Sequence, residues 1–176
     1  MIGGYTPKEG NLISGGSISM RISNPGIVDN YIAGNTILNA SVAGVFLEDY
    51  SSNNFVQCNT FGKMTGYPVR VDYGSGNEIR SNIFTGTPND LILLVEKGNM
   101  ELPAPVVEAA DNDSASGTAC VNCRVEVYVI EKTQVTPLGF ADANGKFTYQ
   151  SRSTANRSSS WRRTLPATRL PSPNLT

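Results

Sequence analysis

Glu48 and Asp72 each close a short apolar run, GVFLE from Gly44 and PVRVD from Pro68. Aligning the runs on Val45 and Val69 stacks Glu48 over Asp72, Phe46 over Arg70 and Asp49 over Tyr73. If the runs are neighbouring strands, the two carboxylates stand about 5 Å apart. Carboxylates so placed can bind calcium, or serve as acid and base on a glycosidic bond. Arg70 would then pair an anionic sugar or take up a proton. The plainer reading is that Glu48, Asp49, Arg70 and Asp72 solvate the end of a strand. Tyr50, Tyr67 and Tyr73 offer aromatic faces for sugar rings nearby, or simply pack.

Other chemistry is limited by composition. The chain has no histidine, which removes a Ser-His-Asp triad, a Cys-His dyad and any histidine-ligated zinc. Cys120 and Cys123, in CVNC, lack a second ligand pair for zinc. The alternating run RVEVYVIE that follows is a strand pattern, whereas a thioredoxin-like redox site needs a helix there. A short-loop disulfide or two free thiols remain. The stretch DNDSASG from Asp111 opens like a calcium loop but has alanine, serine and asparagine where a donor, glycine and glutamate are required. It is not one.

The elements that must position these residues come from a repeat. NLISGGSI at 11, NYIAGNTI at 30, NFVQCNTF at 54 and NEIRSNIF at 77 share asparagine at the first position, at spacings of 19, 24 and 23 residues. The last three also share asparagine at the sixth. Between the octets lies a second register: SMRI at 19, GVFL at 44, PVRV at 68 and DLIL at 90. Short strands at this period suit one coil of a solenoid. Stacked coils would form interior columns from Ile32, Val56 and Ile79, and from Ile37, Phe61 and Phe84. Gly34, Cys58 and Ser81 would share a tight bend, with Cys58 a buried hydrophobe. Asparagine both donates and accepts, so Asn35, Asn59 and Asn82 can bond to one another at that bend. Twelve of seventeen asparagines fall in residues 1–99, so the pattern belongs to this region.

With these octets the sequence resembles the right-handed parallel β-helix proteins, a group that includes pectate-lyase-like folds. The resemblance covers about residues 10–95. It implies an all-β fold: a short right-handed parallel β-helix of three to four coils, with any ligand on an outer strand face. Because Met1 opens directly into a repeat, residues 1–99 read as an N-terminally truncated piece of such a helix. Its uncapped first coil would favour self-association.

A different composition follows. Residues 100–117, with prolines at 103 and 105 and an acidic run, read as a linker. RVEVYVIE from Arg124 and LGFADANGKFTYQ from Leu138 read as strands, with DANG as a turn between two of them. GTACVNCRVEVY with ADANGKFTY resembles the Ig-like or transthyretin-like module that follows β-helix repeats in bacterial surface proteins. That resemblance implies a partial antiparallel β-sandwich over 100–150. Residues 151–176 carry five arginines, three prolines and no acid, and read as a disordered basic tail.

Residues 1–150 hold nine Lys or Arg against fifteen Asp or Glu, so nucleic acid is not an expected partner. The longest apolar run, LILLV from Leu91, is too short to span a bilayer. The function expected from all this is a non-catalytic extracellular or cell-surface β-helix segment that binds polysaccharide or a protein partner. The rival expectation is a fragment of a polysaccharide lyase or hydrolase using Glu48, Asp49, Arg70 and Asp72 on an acidic polysaccharide. No cofactor is expected beyond calcium at Glu48 and Asp72.

Overall fold

The computed structural model describes residues 1–6, 8–86, 90–151, 162–164 and 168–169. Twelve short strands wind through the first half: β1 (Ile2–Gly3), β2 (Leu12–Ser14), β3 (Ile18–Ser23), β4 (Tyr31–Ala33), β5 (Thr36–Leu38), β6 (Ala43–Glu48), β7 (Phe55–Gln57), β8 (Thr60–Gly62), β9 (Tyr67–Asp72), β10 (Glu78–Arg80), β11 (Ile83–Thr85) and β12 (Ile92–Val95). Every third strand pairs in parallel. Sheet A contains β1, β4, β7 and β10; sheet B contains β2, β5, β8 and β11; sheet C contains β3, β6, β9 and β12. The chain completes three turns from β1 to β10 and most of a fourth.

Parallel, in-register pairing sets like on like. Ile32 pairs with Val56 and Val56 with Ile79. Ile37 pairs with Phe61 and Phe61 with Phe84, whose rings lie 5.6 Å apart. All six face inward and are buried. Val45, Leu47, Val69 and Val71 of sheet C close the same core. The coil is kept tight by left-handed residues between sheets A and B: Gly34 (φ 69°), Cys58 (φ 56°) and Ser81 (φ 55°). A Cβ on Gly34 would lie 2.1 Å from the Gly4 carbonyl oxygen, so only glycine fits there.

Buried asparagine ladders bind the bends together. Asn35 donates from its backbone and side chain to Asn59 Oδ1 (3.0 and 3.1 Å), and Asn59 does the same to Asn82 Oδ1 (3.0 and 3.2 Å). A second ladder runs from Asn30 through Asn54 and Asn77 to Asn99. The first repeat sits in a different register from the one its octet predicts. Asn11 bonds to Asn35, not to Asn30, and Leu12 pairs with Thr36. Its first asparagine therefore occupies the sixth position of the others. DLIL is also displaced by one residue, since Ile92, not Leu91, pairs with Val69.

Beyond β12, residues 106–150 form β13 (Val106–Ala110), β14 (Ser114–Glu131) and β15 (Gln134–Gln150), joined antiparallel. The stretch predicted as a linker thus includes a strand and the start of another. Their connection is fastened by the Asp111 carboxylate, which accepts from the backbone of Asp113 and Ser114 at 2.7 and 2.6 Å. The β14–β15 turn falls at Lys132 (φ 52°) and Thr133, and the turn expected at DANG between two strands does not form, since Gln134–Gln150 is one strand. DANG lies inside β15, where the hairpin bends. Tyr149 donates to the Leu138 carbonyl at 3.2 Å, yet eleven residues of straight strand would separate them by roughly 35 Å. Bulges after Thr118 and Val121, with Gly145 at φ 80°, mark the corner. The two arms close on a second core containing Val125, Val127, Ala141 and Phe147. An Ig-like arrangement is not shown; the described residues hold one bent hairpin edged by β13.

The hairpin tip continues sheet B, with Val135 opposite Phe84, and Tyr128 covers the end of the solenoid core 6.1 Å from the Phe84 ring. Two short strands, β16 (Arg162–Thr164) and β17 (Thr168–Arg169), pair with β14. The rest of the predicted basic tail lies outside the described residues.

Candidate functional site

Sheet C alternates inward aliphatics with outward polar and aromatic residues, as a half-buried parallel sheet must. Its outer face brings the expected cluster together. Arg21 pairs with Phe46 and Phe46 with Arg70, making an arginine–phenylalanine–arginine column across three coils. The Arg70 guanidinium carbon lies 4.8 Å from the Phe46 ring centroid and that of Arg21 lies 5.9 Å away. Covered from both sides, Phe46 is only 7% exposed although it points away from the core.

The acids beside this column are all engaged. Glu48 accepts from Arg21 Nε. Asp72 accepts twice from Arg70, at 2.9 Å from Nε and 2.7 Å from Nη2. Asp49 accepts from Ser23 Oγ at 2.6 Å. The side chains of Glu48 and Asp72 are about a tenth exposed, while that of Arg21 is 59% exposed. Hydrogen bonding to Asp72 holds the Arg70 proton more firmly than in a free guanidinium, against the opposing effect of burial. Arg70 is thus poorly suited to act as a base. A calcium site would need six to eight oxygen donors, and Glu48 and Asp72 would first have to leave their arginines. Among the described residues no group of three or more acidic, histidine or cysteine side chains is placed to hold a metal ion.

Pairing of β6 with β9 runs as far as Leu47 and Val71, and beyond it the Tyr73 ring meets that of Tyr50. The turn after Asp72 reaches its asparagine, Asn77, one residue sooner than the turn from Glu48 to Asn54, which brings Tyr73 against Tyr50. Their rings lie 5.1 Å apart at a 30° tilt, 40% and 61% exposed. Proximity to Glu96, then burial, raises the Tyr73 phenol above its ordinary value. Tyr67 starts β9, at the opposite end of that strand from Asp72, outside this pair.

Cys120 and Cys123 are joined in a disulfide, with Cα atoms 5.5 Å apart, on the bulged corner of β14. Cys58 is exposed, contrary to the expectation of a buried side chain: its left-handed bend points outward while Asn59 turns in. Three positions were not anticipated. Asn99 ends the second ladder at a site where the octet has decayed to NMEL. Glu126 and Tyr128 bond to the last bend from the hairpin. Their signal was a polar residue on a strand, β14, that carries apolar residues on both faces near its tip.

Stacked coils, asparagine ladders and an outward ion-pair face define a parallel β-solenoid protein. The family model described as "right handed beta helix region" matches residues 8–132, and the chain belongs to that family. The match runs past the coils into β14. Comparison with curated proteins gave no match, and comparison with solved structures gave none. Among the described residues no helix is long and apolar enough to cross a membrane.

Proposed function

We propose that this chain is a non-catalytic β-helix segment of an extracellular or cell-surface protein, whose sheet C flank binds polysaccharide. One observation carries the reading: each acid of the candidate catalytic set, Glu48, Asp49 and Asp72, already has an arginine or serine partner. The exposed groups beside them suit recognition. The Tyr50–Tyr73 pair gives an aromatic surface with two hydroxyls, and on the same sheet's flank the Arg21 side chain, though paired with Glu48, is 59% exposed. The Cys120–Cys123 disulfide supports an oxidising compartment. Binding to immobilised polysaccharides, with Tyr50→Ala/Tyr73→Ala as the comparison, tests this. Loss of about tenfold in affinity at unchanged circular dichroism is the expected result. Binding that the double variant leaves untouched, or no binding to any polysaccharide, would remove the flank as the recognition surface.

A further inference from the structure

The end of the solenoid nearest the hairpin is closed by side chains that take the place of a missing coil. Inside the stack, each bend residue donates its backbone N–H to the next coil: Gly34 to the Gln57 carbonyl (3.4 Å) and Cys58 to the Arg80 carbonyl (3.3 Å). Ser81 has no next coil, and its N–H goes to Glu126 Oε1 at 2.8 Å. The ladder asparagines behave alike. Asn35 and Asn59 donate their N–H to the next asparagine, whereas the Asn82 backbone lies against the Tyr128 phenol. That hydroxyl in turn donates to Glu126 Oε2 at 2.5 Å. Two residues of β14 therefore stand where a further octet would.

We propose that Glu126 is a pH-set latch, fastening the hairpin to the last coil in acid and loosening it as the pH rises. The geometry is an interface in which Glu126 is 6% exposed and receives Ser81 from the solenoid and Tyr128 from its own strand. The charged groups on the elements packed against it include Arg162, Arg163 and Arg169, which β16 and β17 place in register with β14 on either side of Glu126. Arg80 of β10 is paired with Glu78, and on the hairpin Arg124 lies 3.5 Å from Asp142, which is well exposed. Burial outweighs Tyr128, Ser81 and Arg80 and raises the Glu126 carboxyl above the ordinary glutamate value. A released hairpin would return that carboxyl to water. The docked form thus holds the proton more tightly, so docking is strongest below the ordinary glutamate pKa and weakens as pH climbs through the raised one. Glutamine at this position keeps an acceptor for Ser81 and has no charge to bury.

Amide hydrogen exchange, corrected for intrinsic rate, reads this directly at Ser81 and Asn82, with the Asn35 and Asn59 amides as internal reference. The expected result is a selective loss of protection at Ser81 and Asn82 with rising pH. Its size is about tenfold for each unit by which Glu126 titrates above ordinary glutamate. In Glu126→Gln the profile should be flat. Wild-type protection that does not depend on pH, or a Glu126→Gln profile with the wild-type slope, would overturn the latch. Should Glu126→Gln fail to fold, the wild-type profile against the reference amides decides alone.

Discussion

The asparagines show how one residue type can hold a fold together. Asn59 is fully buried, yet its amide donates to the Ile32 and Gln57 carbonyls and to Asn82, and accepts twice from Asn35. No other side chain of that size offers both donors and an acceptor with so short a reach. Asn59→Ala would strand the Asn35 N–H and the Ile32 carbonyl in the interior. We expect a loss of about 3 kcal/mol in urea unfolding, from orphaned buried groups costing roughly 1–3 kcal/mol each. A change within about 0.5 kcal/mol, as for an ordinary surface site, would show that the ladder is not stabilising. The ladder positions Asn35, Asn59 and Asn82 were legible because three copies recurred at one spacing. The role of Glu126 was not, because a glutamate on a strand with apolar residues on both faces points to burial but not to the coil it meets.

Among the elements, the coils were readable and the hairpin was not. Stacked coils repeat their contacts, so Val45 over Val69 and Phe46 over Arg70 could be aligned from sequence and are paired in the structure. Asn11 misled because its coil has an asparagine at only one of the two ladder positions, and alignment took the wrong one. The bent hairpin has no repeat to check against. DANG has turn chemistry, but it serves a corner in β15, while the actual β14–β15 turn is the less conspicuous Lys132–Thr133. Chain direction at such a corner depends on bulges in two strands together, here bridged in β14 by Cys120 and Cys123. The acids Glu48 and Asp72 stood out in sequence, but the arginines' effect on them did not. Arg21 lies a full coil before Glu48, and its relevance appears only once β3 and β6 are paired.

Across the whole molecule the two ends of the solenoid differ. One end is closed by the hairpin, whereas among the described residues β1, β2 and β3 each have a neighbouring strand on one side only. Ile2, above the Ile32 column, is 38% exposed. Unpaired strand edges beside apolar side chains recruit other chains. This chain in isolation should show concentration-dependent association in sedimentation velocity, and Ile2→Lys should reduce it by placing a charge at the open end. A species that stays monomeric across concentration would refute that expectation. Neither end bears on the flank of sheet C, where recognition is proposed and where Glu48, Asp49 and Asp72 each have a partner. The most direct test of a binding surface without catalysis is to incubate the protein with acidic polysaccharides and measure released unsaturated and reducing ends, beside Asp72→Asn. The account predicts no release above that of the variant; release by the wild type that Asp72→Asn abolishes would contradict it.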